Sequence, residues 1–221
     1  MSQEIIHVYL MPGMAASPLI FENIKLPKAQ FELHYLEWFL PSTNETLIHY
    51  AEKMAQHIKH DNAVLLGVSF GGVLVQEMCK YLTLRKLIIV SSVKSKNELP
   101  KRMHIAKSTK AYKLLPTGLA SRIDLLAKYA YGDKVKKRLN LYKMYLSVSD
   151  RTYLDWAIDK MLNWNQIECK FAITHIHGDN DSVFPIKNIN NCITIKNGTH
   201  AMIINKYKWF NENLPRIILE N

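Results

Sequence analysis

The chain has 221 residues, 48% of them hydrophobic, which is enough for one α/β domain with an insertion and a sizeable core. Lys and Arg number 29 against 19 Asp and Glu, a formal charge of +10. No apolar run approaches the roughly 18 residues of a membrane span, and Met1-Ser2-Gln3-Glu4 lacks the basic-then-apolar order of a secretory leader, so a cytoplasmic protein with no membrane partner is expected.

Taken in order, Glu4 to Leu10 is β-branched and aromatic and predicts a strand that runs into the small-residue turn Met11-Pro12-Gly13-Met14-Ala15-Ala16-Ser17. A short helix is expected over Ser17 to Ile24. Phe31 to Leu36 alternates apolar with polar side chains and predicts a second strand. Ser42 and Glu45 have the spacing of a capping box, and Leu47, Ala51, Met54 and Ile58 then recur at helical intervals.

Val64-Leu65-Leu66 begins an apolar run short enough for a buried strand, and the run ends abruptly in Gly67-Val68-Ser69-Phe70-Gly71. Val73 to Leu82 reads as a helix, so Ser69 sits on the turn between the two. Gly67 and Gly71, two residues to either side, let strand and helix approach without Cβ clashes. Lys86 to Ser91 is a further buried strand. Strands alternating with helices imply a parallel sheet covered on both faces.

Between about Lys94 and Asn165 the pattern changes to helix formers punctuated by Pro100, Pro116, Gly118 and Gly132-Asp133. Asp150 to Trp164 is the clearest helix there. Lys94 to Lys143 holds fourteen of the 29 basic residues and three of the 19 acidic ones, so the excess positive charge belongs to this segment. The sheet resumes at Phe171 to His177, followed by Gly178-Asp179-Asn180-Asp181-Ser182-Val183-Phe184-Pro185. A last short strand, Cys192 to Lys196, leads into Asn197-Gly198-Thr199-His200-Ala201. A closing helix then carries Ile203, Tyr207, Phe210 and Leu214 on its inner side.

The Gly-Val-Ser-Phe-Gly turn resembles the nucleophile elbow of the α/β-hydrolase superfamily. The string from His177 to Pro185 is similar to that superfamily's loop bearing the triad acid, and His200 matches its histidine between the last strand and the last helix. The resemblance covers nearly the whole chain outside residues 94–165. It implies a mostly parallel central sheet with helices on both faces, a core of residues 1–93 and 166–221, and a helical cap over residues 94–165. It assigns Ser69 as nucleophile, Asp181 as acid and His200 as base, in the chain order of the fold. Asp179 competes with Asp181 by proximity, because turn chemistry also explains an Asp-Asn-Asp cluster. Some members place the acid after the strand that follows the elbow helix, where the first candidate here is Glu98. Pro12-Gly13-Met14 resembles the oxyanion loop with proline in the histidine position, which makes the backbone N–H groups of Met14 and Phe70 the two donors. That substitution leaves the donor intact, since the donor is backbone.

These roles imply a serine esterase or thioesterase that works through an acyl-enzyme, with no metal or organic cofactor. An acyltransferase, lyase or perhydrolase on the same fold, or a non-catalytic binding protein that keeps it, are the alternatives. The substrate expected is a small acyl compound, and the basic segment invites an anionic or carrier-linked one. A solvated lysine face explains the same charge. Aromatic and methionine side chains of the segment (Met103, Tyr112, Tyr129, Tyr131, Tyr142, Met144, Tyr145, Trp156, Met161) either line an acyl pocket or pack the cap. Nucleic acid is not expected as a partner, because the basic residues form no groove-reading motif. Cys79, Cys169 and Cys192 are an odd count without close spacing, so no disulfide framework or zinc site is expected from them.

Overall fold

The computed structural model describes residues 4–115, 117, 145, 148 and 150–220. Its strands are β1 (Ile6–Met11), β2 (Phe31–Tyr35), β3 (Ala63–Val68), β4 (Leu84–Val90), β5 (Ile173–Gly178) and β6 (Ile193–Ile195). All pair in parallel, in the order β2-β1-β3-β4-β5-β6. The helices are α1 (Leu47–Ala55), α2 (Phe70–Met78), α3 (Lys101–Thr109), α4 (Arg151–Asn163), α5 (Met202–Asn205) and α6 (Tyr207–Leu219).

Strand periodicity of two sends alternate side chains to opposite faces, and each face has its own core. Tyr9, Met11, Leu65, Leu87 and Ile89 meet side chains of α1, α2 and α4 on one face. Val8, Leu10, Val64, Leu66, Ile88 and Val90 meet α5, α6 and the 3₁₀ turn Pro18–Phe21 on the other. Coverage of both faces explains why β3 is apolar along its whole length, since every one of its residues is buried.

Three local expectations change in detail. The helix expected over Ser17 to Ile24 is the single 3₁₀ turn Pro18–Phe21, opened by the Ser17 hydroxyl accepting the Leu19 N–H. The elbow helix ends at Met78 and finishes as a 3₁₀ turn, Cys79–Tyr81. The Ser42–Glu45 pair closes a turn ahead of α1: the Ser42 N–H donates to Glu45 Oε2 at 2.7 Å, while Thr46 is the residue that caps the helix by accepting the His49 N–H at 3.1 Å. The Glu45 carboxylate also reaches the helix, where Oε1 lies 2.9 Å from His49 Nδ1 and 3.0 Å from Lys53 Nζ.

Helix α4 begins as the sequence predicts, with the Asp150 carboxylate accepting the N–H groups of Thr152 and Tyr153. Its inner side is fastened to the sheet domain. Trp156 Nε1 donates to Glu45 O at 2.8 Å, Tyr153 Oη accepts the Ala15 N–H at 3.1 Å, and the adjoining Trp164 Nε1 donates to Glu77 Oε1 at 2.9 Å. Trp156 and Met161 are buried in this contact and pack as core. Tyr129, Tyr131, Tyr142 and Met144 lie outside the described residues, as does most of the basic segment. Among the described residues, no helix is long and apolar enough to cross a membrane.

Candidate active site

The chain leaves β1 toward β2 on one side and returns to β3 on the other, so the carboxyl ends of β1 and β3 border a crevice where the strand order reverses. Ser69 follows β3 and Pro12-Gly13-Met14 follows β1. Both therefore stand at that crevice.

Ser69 adopts φ 54° and ψ −121°, a backbone conformation that L-residues seldom occupy. It persists because its surroundings over-determine it. The Ser69 N–H donates to Val90 O at 2.9 Å, and its carbonyl accepts the Ser92 hydroxyl at 2.7 Å and the Gly72 N–H at 2.9 Å. The glycines are required by contact: a Cβ on Gly67 would collide with the Gly71 carbonyl, one on Gly71 with Pro12 O, and one on Gly72 would lie 2.5 Å from Ser92 Oγ. The turn thus lifts the serine side chain out of the strand-helix junction and into the crevice.

The structure brings Ser69, Asp181 and His200 together from three loops. His200 Nε2 lies 3.0 Å from Ser69 Oγ, and His200 Nδ1 lies 2.9 Å from Asp181 Oδ2. Asp181 is 4% exposed, and the loop after β5 wraps it: the N–H groups of Val183 and Phe184 donate to Oδ1 at 2.7 and 2.9 Å. Asp179, its competitor in the sequence, points to solvent. Burial alone would raise the Asp181 carboxyl; the hydrogen bond and charge of His200, with the Phe184 and Val183 amides, outweigh it and hold its pKa below the ordinary carboxylate value. Glu98 is buried but committed elsewhere, accepting the N–H groups of Lys94 and Asn190.

Gly13 stands against the serine, since a Cβ built on it would be 3.5 Å from Ser69 Cβ. Its carbonyl accepts Trp38 Nε1–H at 2.7 Å and the Ala16 N–H at 3.0 Å. A trans peptide is planar with N–H opposed to C=O, so the Met14 N–H is turned away from Trp38. Phe70 is the first residue of α2, and a first-turn N–H has no acceptor within its own helix.

Several supporting residues escape a sequence reading. Trp38 is one, because nothing local ties it to residue 13. Arg102 on α3 is another: its guanidinium donates to the carbonyls of Ser182 and Val183 at 2.7 and 2.5 Å, bracing the acid loop. Beneath Asp181 lies a buried histidine pair from β5. The His177 Nε2–H donates to Phe184 O at 2.8 Å, and His177 Nδ1 lies 3.1 Å from His175 Nε2. Burial pushes both pKa values down, that of His175 to about 3. The alternation His-x-His on a strand was visible, but not that both rings face the acid loop.

No protein-family model matches the chain, and no curated protein matches it. Solved structures do. It superposes on an esterase from Exiguobacterium antarcticum with TM-score 0.64 at 15% identity, covering 100% of this chain and 94% of that one. A thermophilic esterase from Thermogutta terrifontis gives TM-score 0.69 at 12% identity, over 98% and 90% of the two chains. An alpha/beta hydrolase fold protein from Burkholderia ambifaria gives TM-score 0.62 at 15% identity, over 96% and 90%. The chain has the α/β-hydrolase fold.

Proposed function

We propose that this protein is a serine hydrolase that cleaves a carboxylic ester or thioester through an acyl-enzyme on Ser69. The observation that carries the reading is the unbroken contact from Asp181 through His200 to the Ser69 hydroxyl, at 2.9 and 3.0 Å. A serine hydroxyl is a weak nucleophile at neutral pH. His200 Nε2 takes its proton as Oγ attacks the carbonyl carbon, and Asp181, buried and held ionised, keeps the imidazole in the required tautomer and stabilises its charged form. The N–H groups of Met14 and Phe70 receive the oxyanion, a contribution of roughly 3–4 kcal/mol per donor. Collapse expels the alcohol or thiol with the proton from His200. Water, deprotonated by the same imidazole, then releases the acid. The residues named need no metal or organic cofactor for this sequence of steps.

Residues 1–93 and 166–221 form the catalytic core in this reading, and residues 94–165 a cap whose last helix, α4, is anchored to the core. A cytoplasmic setting is part of the same proposal, supported by three cysteines present as free thiols. The substrate is a small acyl compound, with an anionic or carrier-linked acyl group suggested by the basic cap. Neither a nucleic acid nor a membrane is a partner in this reading.

Labelling with a fluorophosphonate probe tests the chemistry: the folded wild type labels and Ser69→Ala does not. Labelling that survives Ser69→Ala, or is absent from folded wild type, rejects it and leaves a binding protein on a hydrolase fold. A chain-length series of chromogenic esters and thioesters on the same two proteins identifies the acyl group. Running it with added alcohol or peroxide detects acyl transfer or perhydrolysis in place of hydrolysis. A thioester rate that falls with salt supports steering by the basic cap, and a salt-independent rate rejects it.

A further inference from the structure

Among the described residues, His7, His34 and His60 bring one ring nitrogen each to within 4.8 Å of one another. Strand register builds most of this group. His7 pairs with Glu32 and Tyr9 with His34 across β1 and β2, so all four side chains share the face that α1 covers. His7 Nδ1 is 2.9 Å from His34 Nε2, and the Glu32 carboxylate stands 3.6 Å from the first nitrogen and 3.9 Å from the second. His60 enters from the bend that follows α1. The Tyr9 hydroxyl oxygen accepts the Lys59 N–H at 3.0 Å and lies 2.7 Å from His60 Nδ1; in the tautomer whose Nδ1–H donates to that oxygen, the Nε2 lone pair is free for an ion.

We propose that His7, His34 and His60, with the Glu32 carboxylate, bind a divalent transition-metal ion of the zinc type at the β1–β2 edge of the sheet. Three imidazoles and one carboxylate are a tetrahedral donor set for such ions, and hard cations such as calcium prefer all-oxygen sites. Tyr9 supplies the outer hydrogen bond that orients a ligating ring. The ion replaces the imidazole–imidazole hydrogen bond: two nitrogens, each about 2.05 Å from a tetrahedral centre, lie about 3.3 Å apart, so the His7 and His34 nitrogens separate by ~0.4 Å. The His7 and His60 rings are stacked, with centroids 3.5 Å apart and planes at 8°, and an ion cannot lie in both planes at once. Binding therefore requires one of these two rings to turn about its side-chain torsions. The site ties the edge strand β2, strand β1 and the loop after α1 together. It uses none of the residues around Ser69, so it stands apart from the hydrolase reading.

The test is titration of the chelator-treated full chain with Zn²⁺ by calorimetry, and with Co²⁺ by its visible absorption. One equivalent is expected to bind with a dissociation constant below about 1 μM, and Zn²⁺ at about a hundred times that constant is expected to raise the Tm by roughly 5–10 °C. His34→Gln and His60→Gln each weaken binding at least about 100-fold, and Glu32→Gln about tenfold. Should His34→Gln not fold, His60→Gln on its bend and Glu32→Gln at an exposed position carry the test. The Cys79→Ser/Cys169→Ser double variant, which removes the other paired soft donors, binds as the wild type does. Wild-type binding weaker than about 100 μM, binding that His60→Gln leaves intact, or binding lost in the cysteine variant overturns the proposal and leaves a packed cluster of three histidine rings.

Discussion

The indole of Trp38 lies flat on the ring of Phe70, with centroids 5.3 Å apart and planes at 9°, while its Nε1–H donates to Gly13 O. One buried side chain thereby touches both segments whose amides are assigned to the oxyanion. Trp38→Phe keeps an aromatic ring against Phe70 but releases the Gly13 carbonyl to the Ala16 N–H alone. The expected result is a kcat about tenfold lower, ~1.4 kcal/mol, with KM changed less than about twofold. Steady-state kinetics on the best chromogenic ester, with circular dichroism to check folding, measures it. A kcat equal to wild type means that Trp38 does not position the loop.

Asp181→Asn preserves size and retains an oxygen for the Val183 and Phe184 amides, but offers His200 Nδ1 no charge. The expected loss is on the order of 10³–10⁴ in kcat with little change in Tm. Asp179→Asn, at an exposed position, serves as the control and is expected to lose less than about twofold. Equal losses in the two variants would return the acid assignment to where the sequence left it.

Acid sensitivity follows from the histidine pair under the acid loop. An unfolded chain takes up a proton on His175 near the ordinary value of 6.5, whereas the folded chain resists until about 3, because burial disfavours the charged ring. The unfolded state therefore binds more protons through that window, and stability is level above pH 6.5 and falls as pH drops toward 3. At pH 5 the loss from His175 is on the order of 2 kcal/mol, worth roughly 4–8 °C in Tm, and His177 adds in the same direction. Thermal melts of wild type and His175→Gln across pH 5–8 check this: the variant's Tm should vary less steeply with pH, whatever its absolute value.

Cys79 and Cys169 lie 90 positions apart in the chain, yet their sulfurs are 3.9 Å apart. No local spacing pairs them. The Cys79 thiol, shared between Gln76 O and the Cys169 sulfur, stabilises the Cys169 thiolate and lowers its pKa; the same contact, with burial, raises that of Cys79. Cys169 is expected to react first with iodoacetamide at pH 7, ahead of Cys79 and Cys192. Its rate should fall several-fold in Cys79→Ala. Mass spectrometry of partially alkylated protein reads the order directly.

What could be read from the sequence was what is local. The β3 run, the Ser69 turn and its flanking glycines are set by neighbours in the chain, and they appear where the pattern places them. The face shared by α1, α2 and α4 was harder, because Trp156 and Trp164 donate to groups 111 and 87 positions away. The sequence offered both Asp179 and Asp181, and only the fold of the loop turns one inward to His200 and the other to solvent. His7 and His34 show up individually as strand residues, but their contact depends on the β1–β2 register, which no single strand contains. The capping-box spacing at Ser42 and Glu45 misplaced the helix start because a turn uses the same hydrogen bond as a cap.

His200 follows β6, the shortest strand among the described residues, where it pairs with β5 alone. A ribosome therefore finishes the Ser69 turn 131 positions before it reaches His200. Under the proposed function, a nascent chain bearing residue 69 lacks its base until residues 193–195 dock, so ester turnover would read out assembly of the C-terminal edge.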